Sequence, residues 1–185
     1  MKQTLLIKNM VCDRCKTTIA KLLNDEGMEI ESLELGKVVI KNYEGIDEAK
    51  LEKILNEKGF ELIKDTSGIL IEKIKISMIK RITKNDTDKI LSEVAQELGK
   101  TYSLISKVFS KSEGITLEKY LINLKIEKVK EQIQLNQLNF SEIAYSFNYN
   151  NSSHLAKQFK SVTGMSMSEY RKLQNWDRKG LDQIV

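Results

Sequence analysis

Residues 141–170 read SEIAYSFNYNNSSHLAKQFKSVTGMSMSEY, and residues 92–120 read SEVAQELGKTYSLISKVFSKSEGITLEKY. The two stretches are versions of one unit. Ser92/Ser141, Glu93/Glu142, Val94/Ile143, Ala95/Ala144 and Leu98/Phe147 match at an offset of 49. Ile105/Leu155, Lys107/Lys157, Phe109/Phe159, Gly114/Gly164 and Tyr120/Tyr170 match at an offset of 50. One residue is therefore inserted between the two blocks of the second copy. Self-similarity at a fixed period marks a duplicated structural unit.

Each copy reads as helix, turn, helix. Val94, Ala95 and Leu98 form one apolar face, and Ile105, Val108 and Phe109 another. Gly99, replaced by Asn148 in the second copy, suits a left-handed turn residue. This is the helix-turn-helix plan, whose second helix can enter a DNA major groove. Outward positions of that helix are Ser103, Ser106 and Lys107 in the first copy. In the second they are Asn151, Ser152, Ser153 and Lys157. Serine and asparagine can hydrogen-bond base edges, and lysine can take guanine or phosphate.

Between the copies, Leu117, Leu121, Leu124, Ile126 and Val129 predict one long helix. Such a connector would hold two reading helices about 34 Å apart, one turn of duplex. The boundaries expected are residues 90–111 for the first motif, 116–136 for the linker helix and 140–162 for the second. Residues 88–173 closely resemble the AraC-type DNA-binding domain of bacterial transcription regulators. The resemblance rests on EIAYSFNYNNSSHLAKQFKSVTGMSMSEYRK, with Asn148 and Met167 as departures. It implies an all-α domain bound to double-stranded DNA, with RNA polymerase as a candidate partner. His154 and Lys160 then join the candidate DNA contacts, His154 near the backbone rather than as a metal ligand. The arginines usual in the first reading helix are replaced by Ser106 and Lys107.

Upstream, residues 66–88 are ambiguous between strand and helix. Ile71, Ile74, Met78 and Ile82 favour a bridge helix over residues 67–83, with Ser67 as its cap. Residues 1–66 read differently. Leu5, Leu6 and Ile7 suggest a strand, and Cys15, Ile19, Leu22 and Leu23 a helix. Ile30, Ser32, Leu33 and Leu35, then Gly36-Lys37 and VVIKNY, suggest a hairpin. Leu51, Ile54 and Leu55 behind Asp47 suggest a second helix, and FELI a last strand. The order is β-α-β-β-α-β, a ferredoxin-like unit with two helices on one face of an antiparallel sheet. The fold class expected is α+β, with this domain over residues 1–66 and the all-α domain over residues 67–185.

The chain's only cysteines, Cys12 and Cys15, fall in the loop after the first strand and at the start of the first helix. A helix N-terminus favours negative charge, and Arg14 and Lys16 add positive potential. Two thiolates can hold Cu(I), whereas structural zinc wants four ligands. The segment MVCDRC, with EKGFEL near the domain's end, resembles the Met-x-Cys-x-x-Cys loop of heavy-metal-associated domains. That resemblance implies Cys12 and Cys15 as ligands of Cu(I) or another soft metal, with Met10 packed beneath the loop. Thiol oxidation is the alternative input. A thioredoxin-type site is not expected, because the chain has no proline.

Composition agrees with this division. Residues 1–66 carry 11 basic and 13 acidic side chains, and residues 67–185 carry 19 and 13, a net of −2 against +6. The basic excess permits nucleic-acid contact. No apolar run approaches the ~20 residues of a membrane span, so a cytoplasmic protein, monomeric or weakly dimeric and without membrane contact, is expected. An enzyme is not, for no nucleophile–base–orienter set is visible. The main alternative is a metallochaperone or metal buffer whose C-terminal part docks another protein.

Overall fold

The computed structural model describes residues 2–41, 47–84, 89–173 and 175–184. Residues 1, 42–46, 85–88, 174 and 185 lie outside that set, including the end of the expected VVIKNY strand and of the bridge. The chain divides into two compact units, Met1–Ile76 and Ser77–Val185.

The first unit runs β1 (Gln3–Lys8), α1 (Asp13–Asp25), β2 (Glu29–Glu34), β3 (Lys37–Lys41), α2 (Glu48–Asn56) and β4 (Glu61–Leu62). The sheet order is β2-β3-β1-β4, and every neighbouring pair is antiparallel. Leu5 faces Val38 and Ile7 faces Leu62 across the ladders. Alternation puts Leu5, Ile7, Val38 and Ile40 on one face. There they join Ile19 and Leu23 of α1 and Leu51 and Leu55 of α2 in one core. Strict alternation in β2 would send Ile30 and Leu33 to opposite faces. A bulge between Ile30 and Ser32 shifts the register, and both side chains pack against the core.

Helix α3 spans Thr66–Thr83, and the division between units falls inside it, after Ile76. The ambiguous stripe is helical: Ile71, Ile74, Met78 and Ile82 are all buried. Its cap is not Ser67. The helix begins one residue earlier, and Asp65 accepts from the Gly68 amide at 2.8 Å. A carboxylate outbids a hydroxyl already inside the first turn. Within the first unit, Glu72 of α3 is 3% exposed and its Oε2 accepts the Asn9 amide at 2.9 Å.

The second unit contains α4 (Ile90–Glu97), α5 (Tyr102–Glu113), α6 (Leu117–Leu135), α7 (Phe140–Ser146), α8 (Ser152–Thr163) and α9 (Met167–Arg171). Helix α6 carries buried residues for both repeats. Tyr120 meets Phe109 of α5 at 5.1 Å between ring centres. Ile126, Val129 and Ile133 join Ile143, Phe147, Leu155 and Phe159 in the core of the second repeat. At the start of the unit, Arg81 donates to Glu93 and Glu97, and Ser77 donates to Glu97 at 2.6 Å.

Candidate nucleic-acid interface

The two reading helices are held by equivalent devices. Thr101 caps α5, its hydroxyl accepting from the Leu104 amide at 3.3 Å. Asn151 caps α8, its Oδ1 accepting from the His154 amide at 2.8 Å. Both helices end on a left-handed glycine, Gly114 at φ +71° and Gly164 at φ +81°. Both are followed by a hydroxyl cap, Thr116 and Ser166. Ile105 and Phe109 anchor α5, and Leu155 and Phe159 anchor α8, all fully buried. With one face so committed, the opposite face must point outward.

The turns agree as closely. Gly99 sits at φ +60° and Asn148 at φ +57°, so asparagine does glycine's work at the position where the chain reverses. The Lys100 amide donates to Ala95 O and the Tyr149 amide to Ala144 O, both at 2.9 Å. Tyr149 is therefore the partner of Lys100, and Asn150 is the inserted residue. Tyr149 is largely buried. Its hydroxyl donates to Gln158, and its ring meets His154 edge-on at 5.4 Å. Burial pushes its phenol up to about 12. The inserted turn is thus braced from inside.

On the outward faces, Ser103, Lys107, Ser153, His154, Lys157 and Lys160 are exposed, while Ser106 and Ser152 are half-buried. Asn151 is exposed too, but its Oδ1 is spent on the cap, so only the amide NH2 remains to reach outward. Asn151 is thus a helix cap as well as an outward-facing residue. Tyr102, 41% exposed at the first position of α5, stands where the second repeat has Ser152.

The two thiols lie in the first unit. Cys12 is the N-cap of α1, its sulfur accepting from the Cys15 amide at 3.3 Å. The two Sγ atoms are 2.6 Å apart. Cys12 is half-buried and Cys15 only 4% exposed. Met10 is fully buried in the same core as Cys15, and its carbonyl accepts from the Gly36 amide at 3.0 Å. Lys16, one of the expected positive neighbours, pairs with Asp13 at 3.0 Å. Among the described residues no group of three or more His, Cys, Asp or Glu side chains converges on a metal position. Two sulfur donors fit a soft ion of low coordination number and do not fit tetrahedral zinc within one chain. Among the described residues no helix is long and apolar enough to cross a membrane.

Residues 94–173 match the model of a helix-turn-helix domain family. The chain is 31% identical over 81 residues to the HTH-type transcriptional activator AarP of Providencia stuartii, covering 44% of this chain and 60% of that one. It is 26% identical over 102 residues to the Msm operon regulatory protein of Streptococcus mutans, covering 54% and 37%. The chain thus spans less than two thirds of either relative. In fold it is similar to the C-terminal domain of AraT, a response regulator from Geobacillus stearothermophilus. The TM-score is 0.53 at 21% identity, over 62% of this chain and 93% of that one. An N-terminal four-stranded antiparallel sheet with helices is followed by an all-helical helix-turn-helix domain, and over residues 94–173 the chain is similar to that helix-turn-helix family.

Proposed function

We propose that this chain is a one-component transcription regulator that binds duplex DNA through α5 and α8. The observation that carries the reading is the duplicated frame. Two helices share the same cap and anchor positions and the same turn conformation, and each leaves a hydroxyl-and-lysine face outward. Lysines 107, 157 and 160 would neutralise phosphates and set register. Serines 103, 106, 152 and 153 would reach base edges, with Asn151 through its amide. His154, braced by Tyr149, suits a backbone phosphate contact. It is a regulator rather than an enzyme, as the family match implies.

The input we propose is a soft metal such as Cu(I), or oxidation of the thiol pair, received at Cys12 and Cys15. The support is the donor set itself: two thiols in reach of each other at a helix start, with a buried methionine in the same core as Cys15. When bound, such an ion would supply a fixed link between the two sulfurs. The protein's part is to hold Cys12 by the Cys15 amide and to shield Cys15.

The test is retardation of the chain's own promoter DNA by the full-length protein at graded salt. Three phosphate-contacting lysines predict that log affinity falls against log salt with a slope near −2.7 or steeper. A slope near zero, or no retardation at low salt, overturns the reading.

A further inference from the structure

Resting on the regulator reading above, we infer that Glu72 is the positioning residue that couples the Cys12–Cys15 loop to DNA binding, by tying that loop to α3. Glu72 Oε2 accepts the Asn9 amide at 2.9 Å, three residues before Cys12. Asn9 is held in the left-handed region at φ +67°, and its Nδ2 donates to Gly59 O at 2.9 Å. One residue on, Met10 O accepts the Gly36 amide at 3.0 Å. Of these three ties on the segment leading to the thiols, the one to Glu72 comes from α3. Helix α3 reaches the segment a second time through Gly36. A Cβ placed on Gly36 would lie 3.1 Å from Ile76 Cδ1, so Ile76 packs on the residue that bonds Met10.

A carboxylate is a costly way to hold one amide. The side chains of Glu72 and Lys75 are 3% and 4% exposed, and they pair at 3.6 Å. A buried pair adds little to stability, because desolvation offsets the attraction. What it fixes is position, since neither charge can move out without the other losing a partner. The same helix continues into the second unit. Five residues after Glu72, Ser77 donates to Glu97 at 2.6 Å. Nine residues after it, Arg81 donates to Glu93 at 3.2 Å and to Glu97 at 2.6 Å. Those grips lie roughly 8 and 14 Å along the axis from Glu72. Glu93 and Glu97 belong to α4, which leads through the Gly99 turn into the reading helix α5. Hydrogen-bond networks joined by a rigid helix are a physical route for coupling between sites. A change at the thiols that moves the Asn9–Cys12 segment therefore has a handle on α3, and α3 has one on α4.

The experiment compares the full-length wild type with two double variants, Glu72→Gln with Lys75→Met and Glu72→Met with Lys75→Met. Both remove the two buried charges together, and only the first keeps an acceptor for the Asn9 amide. Promoter affinity is measured with the thiols reduced, loaded with Cu(I), and oxidised by diamide. Wild type should shift by about fivefold or more in the loaded or the oxidised state. The Gln variant should keep that shift. The Met variant should bind Cu(I) and oxidise as wild type does, yet shift less than about twofold. A second readout needs no variant. Coupling that passes through the Glu72–Asn9 bond must change that bond as much, so hydrogen exchange at the Asn9 amide of wild type should change by about fivefold between the same two states. If the Met variant keeps the full shift, if both variants lose it alike, or if exchange at Asn9 is unchanged, the inference fails while the regulator reading stands. If neither Cu(I) nor diamide shifts wild type, the thiol input fails and the inference with it.

Discussion

Asn151 is asked to do two things, and one substitution separates them. Its Oδ1 accepts the His154 amide at 2.8 Å and closes the N-terminus of α8. Losing such a cap costs about 1 kcal/mol. For a domain of roughly 100 residues that lowers the melting temperature by about 4–8 °C. Asn151→Ala should show this loss. Asn151→Asp should not, because aspartate caps as well as asparagine, and its charge at a helix N-terminus adds about 0.3–1 kcal/mol. On DNA the order should invert. Aspartate places a negative charge where phosphates are expected, so it should weaken binding to every duplex more than alanine does. The assays are thermal unfolding by circular dichroism and promoter retardation at low salt. Stability should rank Asp at or above wild type and Ala below it, while affinity should rank Asp last. An Asp variant that melts as early as Ala would refute the cap. One that binds DNA as tightly as wild type would mean that the start of α8 does not face the duplex.

Asn148 holds a left-handed turn at φ +57°, and glycine occupies the matching position in the first repeat. Asn148→Gly should therefore leave stability unchanged or raise it by up to about 1 kcal/mol, read as the urea midpoint, whereas Gly99→Ala should lower it by about 1–2 kcal/mol. Glu97 is held below the ordinary carboxylate range by the Ser77 hydroxyl and then by Arg81. A lowered folded value means stability present above the ordinary glutamate range, about pH 4.3, and lost as pH falls through the folded value. Glu97→Gln should flatten that acid limb in urea titrations from neutral to acid pH; an unchanged limb would show that other carboxylates carry it. Cys12→Ser keeps a good N-cap, so α1 should remain intact while Cu(I) uptake falls as fully as in the double variant, because one thiol cannot chelate. If wild type takes up Cu(I) and promoter affinity does not change, the metal is not an input.

Much of the fold was legible because the signals were periodic. Alternation gave the strands, apolar stripes gave the helices, and the repeat gave both motifs at once. What escaped depends on single atoms meeting across the chain. The β2 bulge lets Ile30 and Leu33 share a face, and no local pattern announces it. Asp65 rather than Ser67 starts α3, since two neighbouring acceptors compete and only geometry decides. Lys16 stands beside the thiols in sequence, and its pairing with Asp13 in the same turn is visible only in the fold. The spacing marks Cys12 as a candidate ligand, and only the fold shows that it also caps α1. Glu72 is 3% exposed and accepts the Asn9 amide, 63 positions away in the chain. Such a contact requires the tertiary fold before it can be seen.

The repeat also says what kind of sequence the domain should prefer. Its conserved positions are those that hold helices: Phe109/Phe159, Gly114/Gly164 and Tyr120/Tyr170 are identical, and the caps exchange freely among short acceptors, Thr101 for Asn151 and Thr116 for Ser166. Any of these serves, because the amides at a helix start need only an oxygen within reach. The outward positions are mixed: Ser103/Ser153 and Lys107/Lys157 are identical, while Leu104 stands against His154 and Ser110 against Lys160. A symmetric dimer presents the same side chains twice and so matches a palindrome. This domain presents two different faces from one scaffold within one chain. Its two half-sites should therefore differ in sequence, and the site as a whole should have a direction. Inverting one half-site of a selected duplex while keeping its spacing should cost as much affinity as scrambling it. Equal binding to the inverted duplex would show that the two helices read alike despite their different surfaces.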